Sequence, residues 1–117
     1  MKVALICSPY AGDIAANVAY ARAAVSDSLA RGEAPICGHL LYTQPGVVTT
    51  REQGLAANLT ALARCDVMAV YMPEDSAGLS AGMNGEIDTA GNLRVPVEYR
   101  ILPRPSEPAD VTGWAGR

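Results

Sequence analysis

The sequence predicts an α/β three-layer sandwich around a mostly parallel sheet, and three observations lead there. Short apolar runs near residues 2–8, 35–42, 66–72 and 95–99 alternate with stretches whose apolar residues recur every three or four positions. Polar caps and glycines mark the boundaries between them. Half of the 117 residues are hydrophobic and 18% are charged, which suits one compact domain with a buried core.

Residues 2–8 form a continuous apolar run ending at Ser8-Pro9, as expected of a strand buried on both faces. Asp13 is placed to cap a helix in which Ile14, Val18, Ala21, Val25 and Leu29 share a stripe. Gly32 stops that helix, with Pro35 just beyond. The stretch Pro35-Ile-Cys-Gly-His-Leu-Leu-Tyr42 reads as a second strand running into a loop at Thr43–Gly46. Thr50 and Gln53 have the spacing of a capping box, and Leu55, Leu59 and Leu62 mark the helix that follows. A third strand covers 66–72, and a helix runs from about 81 to Gly91 with Met83, Ile87 and Ala90 on one face. Residues 95–99 are a fourth strand, placed near an edge by Pro96. The order is flavodoxin- or Rossmann-like. Residues 1–100 are read as the domain, and 101–117, rich in Pro and Gly and carrying Trp114, as a tail or arm.

Composition removes several classes of function. The formal charge is −3, Lys2 is the single lysine and the eight arginines are scattered, so no basic stripe serves a nucleic-acid polymer. The apolar run at the N-terminus is too short for a signal peptide, and no run approaches a membrane span. Cys7, Cys37 and Cys65 are odd in number, far apart and set in apolar segments. Buried reduced thiols and a cytoplasmic setting are expected, with no metal site. No Gly-x-Gly-x-x-Gly follows the first strand and no phosphate-loop lysine is present, so no dinucleotide or other cofactor is expected.

The informative segment is Ser80-Ala-Gly-Met-Asn-Gly-Glu86, a cap and helix start after the third strand. Open α/β sheets place their ligands at the carboxyl ends of strands, where helix N-termini face anions. Glu86 lies a turn and a half after Ser80 and borders the apolar face, so its carboxylate either shares that cleft or is a solvated helix residue. The loop Ser8-Pro-Tyr-Ala-Gly-Asp13 fits an ordinary βα turn and a set of ligand-facing N–H groups equally well. His39, the one histidine, adjoins apolar residues and reads as structural or as a ligand contact. Asp75 is a pocket acid or a turn residue, and Asp66 at the start of the third strand reads as structural.

Ser8-Pro-Tyr-Ala-Gly-Asp13 with Asn17 and Tyr20-Ala-Arg22, His39-Leu-Leu-Tyr42, Cys65-Asp66 and Ser80-x-Gly-Met-x-x-Glu-Ile87 occur in this order and spacing. Together they resemble small bacterial and phage proteins of the nucleoside 2-deoxyribosyltransferase-like superfamily, over about residues 2–99. The resemblance implies that Glu86 is a nucleophile attacking C1′ of a deoxynucleoside or deoxynucleotide, with water or a second base resolving the glycosyl-enzyme. Position 80 is serine, which relatives acting on 5′-monophosphates share and where nucleoside-specific ones carry an acid, so the resemblance implies a 5′-monophosphate ligand. Ser8, Gly12, Asp13, Ser80, Gly82 and Met83 would then surround the phosphate and sugar, with Tyr10 and Asp75 as candidate proton donors. His39 and Asn58 complete the implied site. Asn58 is a departure, because the family often holds a carboxylate eight residues before the Cys-Asp pair. A catalytically silent nucleotide- or nucleotide-signal-binding module is the alternative. A homo-oligomer is also implied, with Tyr99, Arg100 and Trp114 as candidates for closing a neighbour's site.

Overall fold

A computed structural model describes residues 1–74 and 78–106, so Asp75 and Trp114 lie outside the described residues. Four strands, β1 (Val3–Cys7), β2 (Ala34–Ile36), β3 (Val67–Met72) and β4 (Val97–Ile101), pair in the order β2-β1-β3-β4. Every pair is parallel, with Val3 opposite Ala34, Ala4 opposite Val67 and Met68 opposite Val97. The helices are α1 (Ile14–Ala30), α2 (Gly38–Leu41), α3 (Arg51–Leu62) and α4 (Ala81–Asn92). β4 lies at an edge, where Pro96 can stand without a ladder N–H.

Strand parity builds the three layers. Leu5, Cys7, Met68 and Val70 face Leu62 of α3 and Met83 and Ala90 of α4. Their alternating neighbours Ile6, Ala69 and Tyr71 face Tyr20, Ala21 and Ala24 of α1. Asp66 ties the amino ends of β1 and β3 together: its carboxylate accepts the Val3 N–H at 2.8 Å, and its own N–H donates to the Val3 carbonyl. The carboxyl ends are left open for other work.

Local signals placed the caps. Asp13 Oδ1 accepts the Ala16 N–H at 3.1 Å, and Gly32 ends the first helical segment with φ +81°. Thr50 and Gln53 form both halves of a capping box, at 3.1 and 2.9 Å.

Three expectations are corrected. The second strand ends at Ile36, and residues 38–41 form a helical turn whose N–H groups return to the Cys37 and Gly38 carbonyls. A short apolar run carries no period that separates strand from buried helix, and the ladder to β1 is complete after three residues. The buried stripe of α1 is Asn17, Tyr20, Ala21, Ala24 and Ser28, while Ile14 and Leu29 remain 49% and 58% exposed. Small residues there let the helix sit close to the sheet around the Tyr20 ring, which outweighs burying a larger Ile or Leu. Arg100 is not offered to a neighbour's site. It is buried within its own chain against Glu33, Glu98 and Tyr71.

Beyond β4, the Leu102 N–H donates to the Met72 carbonyl at 3.0 Å, and the Leu102 side chain packs on the α1-side core. Among the described residues no helix is long and apolar enough to cross a membrane.

Candidate functional site

Two helices begin at the carboxyl edge of the central strands. Ser80 caps α4, its Oγ accepting the Met83 N–H at 3.2 Å, and its own hydroxyl hydrogen stays available as a donor. Position 82 has no side chain, and a Cβ there would meet nothing nearer than the Ser80 Oγ at 4.0 Å. Met83 itself lies in the core, so it can contribute to a ligand only indirectly.

The first loop is held from inside. Asn17, buried on α1, donates from Nδ2 to the carbonyls of Tyr10 and Ala11, both at 2.9 Å. Gly12 takes φ +96°, a left-handed turn that brings Asp13 to its capping position. Ser8 is fully buried at the end of β1, and its Oγ has no hydrogen-bond partner among the described residues. An orphaned buried hydroxyl is a cost that cores rarely carry.

Glu86 is half-buried on α4 and meets residues from two other elements. Asn58 Nδ2 on α3 donates to Glu86 Oε1 at 3.5 Å, and the Cys7 thiol at the end of β1 lies within reach of the same carboxylate. Burial pushes the Glu86 carboxyl above the ordinary carboxylate range, and the neighbouring Cys7 thiol partly opposes that shift. The Cys7 thiol is in turn pushed strongly upward, first by burial and then by the Glu86 charge, so it stays protonated and keeps its role as donor. Gly38 makes room for Asn58: a Cβ at position 38 would lie 2.7 Å from Asn58 Oδ1.

The third grouping is Tyr10 with His39, whose rings tilt at 42° with centroids 4.9 Å apart. Burial holds the imidazole below its usual pKa and therefore neutral at pH 7, and its Nδ1 is buried without a partner among the described residues.

A cavity of about 480 Å³ opens between the first loop and the α4 cap, lined by Pro9, Ala11, Asp13, Asn17, Ser80 and Arg104 among others. Glu86 does not line it. The assignment of Glu86 to the site therefore stands on its side-chain contacts, and the cavity marks the helix-cap end of the same region.

Sequence reasoning named Ser8, Tyr10, Gly12, Asp13, His39, Asn58, Ser80, Gly82, Met83 and Glu86, and the structure sorts them into these neighbouring groups. It missed Cys7, Gly38 and Arg104. Strand parity carried a signal for the first, because Cys7 shares its face with Leu5 and hence with the α3–α4 layer. Gly38 and Arg104 gave none, since their partners are set by tertiary packing.

A family model described as a domain of unknown function (DUF7768) matches residues 2–100. No curated protein matches the sequence. Among solved structures, the chain is similar to a 2-desoxiribosyltransferase from Leishmania mexicana, at 15% identity and a TM-score of 0.64. The likeness covers 86% of this chain and 65% of that one, so the chain spans just under two thirds of the length of that protein. It is similar too to a 2-deoxyribosyltransferase from Bacillus psychrosaccharolyticus, at 12% identity and a TM-score of 0.67, over 94% of this chain and 78% of that one. The fold is nucleoside 2-deoxyribosyltransferase-like.

Proposed function

The chain belongs to the family described as a domain of unknown function (DUF7768), and we propose that it cleaves the N-glycosidic bond of a 2′-deoxynucleoside 5′-monophosphate. The observation that carries this reading is Glu86, a desolvated carboxylate held by neutral donors from β1 and α3 near the open end of the sheet. The likeness in fold to 2-deoxyribosyltransferases supports it.

In the first step Glu86 forms a bond from its carboxylate oxygen to C1′, and the C1′–N bond breaks through an oxocarbenium-like transition state. The bonding pair leaves on the base nitrogen, which takes a proton from a donor; Tyr10 is one candidate, and Asp75, outside the described residues, is the other that the sequence offers. Water or a second base then attacks C1′, giving its proton back to the donor used in the first step, and releases Glu86 as the carboxylate, so the anomeric configuration is retained overall. Asn58 fits the nucleophile's needs. Its amide stabilises the anion, whereas an acid at that position would compete with Glu86 for one proton. Ser80, with Ser8, Gly12, Asp13 and the N–H groups around Gly82, would receive the phosphate, and His39 would border the sugar or base.

Incubating the protein with deoxynucleosides and their monophosphates, and reading free base by mass spectrometry, tests the proposal. Wild type releases base and Glu86→Ala releases none while melting normally; a silent wild type, or a mutant equal to it, defeats the reading. Asn58 also favours a second reading, a nucleotide-binding module without turnover. Calorimetry showing tight nucleotide binding with no base released would select it.

The same reading includes a homo-oligomer in the cytoplasm. The exposed apolar side chains Leu41, Val47, Val48, Leu55 and Leu59 around α3 support self-association, and the three free thiols suit a reducing compartment. A monomer by light scattering at micromolar concentration would contradict the first part.

A further inference from the structure

Arg104 is the feature of this end of the molecule that sequence reading gave no role. It stands three residues beyond β4, and its guanidinium carbon lies 5.9 Å from the centroid of the Tyr20 ring. Tyr20 is fully buried in the α1-side core, so the ring is a fixed platform beneath the cation. From there Arg104 reaches the cavity whose other walls include Ser80, Asn17 and the first loop, and among the described residues it is the one cationic side chain lining it.

Charge and geometry agree on the ligand. The cavity lies between the caps of two helices of seventeen and twelve residues, Asp13 for α1 and Ser80 for α4, so both positive ends face it. Asp13 contributes one negative charge, but its Oδ1 is committed to the Ala16 N–H of its own helix. Arg104 offsets that charge and adds a planar set of donors matched to phosphate oxygens. Along α4, six residues separate Ser80 from Glu86, about 9 Å at 1.5 Å per residue. That is the order of the span from a nucleophile beneath an anomeric carbon to a group bound at the 5′-phosphate.

We infer that Arg104 is the phosphate-binding cation of this cavity and the residue that selects a 5′-monosubstituted phosphate ester over the free nucleoside. This rests on the reading of Glu86 as the residue beneath the sugar. With Arg104 removed the charge of the described lining is that of Asp13, so phosphate recognition is lost and not merely trimmed.

The test uses 2-deoxyribose 5-phosphate and 2-deoxyribose as a matched pair of probes, in calorimetry on the full chain. Wild type binds the phosphate more tightly by roughly ten- to a hundredfold, the worth of a charge-assisted contact, and the margin shrinks as salt is raised. Arg104→Ala binds the two probes alike, Arg104→Lys recovers part of the margin, and Asp13→Asn widens it. A wild type that binds both probes alike, or fails to bind the phosphate, overturns the inference. So does an Arg104→Ala protein that keeps the margin. Base release separates the two claims. Selective phosphate binding through Arg104 without base release removes the glycosidase and keeps the subsite. Equal release from nucleosides and monophosphates, unchanged in Arg104→Ala, removes the subsite and keeps the glycosidase.

Discussion

Glu33 and Glu86 are both carboxylates drawn out of water, one on each face of the sheet, and the protein surrounds them differently. Glu33 accepts two hydrogen bonds from Arg100, at 2.8 and 2.7 Å, and a third from Ser28 Oγ at 2.8 Å. Arg100 also reaches Glu98 at 3.1 Å and the Tyr71 hydroxyl at 2.9 Å, and that hydroxyl donates to Asp27 at 2.6 Å. The Arg100 guanidinium therefore holds the Glu33 carboxyl below its ordinary range. Glu86 has neutral donors, an amide at 3.5 Å and a thiol, and burial holds its carboxyl above that range. A carboxylate saturated by a guanidinium is a fastener, with its lone pairs spent. One steadied only by dipoles keeps charge to deliver to an electrophile, at some expense to the fold.

The comparison can be broken most sharply at Glu86. Glu86→Gln keeps the shape but removes the nucleophile, and base release should fall by roughly 10³-fold or more. The same change should stabilise the protein above pH 7 by roughly 0.5–2 kcal/mol in urea titrations. The sign follows from the raised pKa: the folded state prefers the protonated form, so wild type loses stability as pH rises from the unfolded value of 4.5 through the folded one. A glutamine variant less stable than wild type at pH 8 would erase the distinction from Glu33.

At Glu33 the expected effect is on stability. Arg100→Met strands a carboxylate inside the α1 face and should cost about 3–5 kcal/mol by chemical denaturation. Because the folded pKa of Glu33 is lowered, the wild-type contribution is present above about 4.5 and is lost as pH falls through the folded value. Equal losses for mutant and wild type on acidification would contradict it.

Smaller changes sharpen the picture around Glu86. Cys7→Ala removes a donor to the anion, so the acid limb of the rate profile should move up by roughly half to one pH unit, and Cys7→Ser should restore it. Unmoved limbs in both variants would leave Cys7 as packing alone. Gly38→Ala has the smallest expected effect. Its new methyl displaces the end of the Asn58 side chain, so base release should drop severalfold while the melting temperature barely moves. A large loss of stability would mean that Gly38 serves the backbone instead.

These residues also mark how far the sequence could be read. The helix starts at Asp13, Thr50 and Ser80, the alternation of strands and helices, and the edge position forced by Pro96 were legible, because each depends on neighbours a few positions away. Glu86 was legible as a candidate through its distance from Ser80. The switch from strand to helix after Ile36 and the face of α1 that turns inward were not, since propensity is nearly silent for short apolar runs and the sheet chose small residues over large ones. Glu33 and Arg100 are 67 positions apart, Asn58 and Glu86 are 28 apart, and Cys7 joins the latter pair from a third element. Local periodicity determined which elements form and which of their ends are capped. Which carboxylate found a guanidinium and which found only an amide and a thiol was decided by how those elements pack, because charge compensation in a protein interior is a property of neighbours in space.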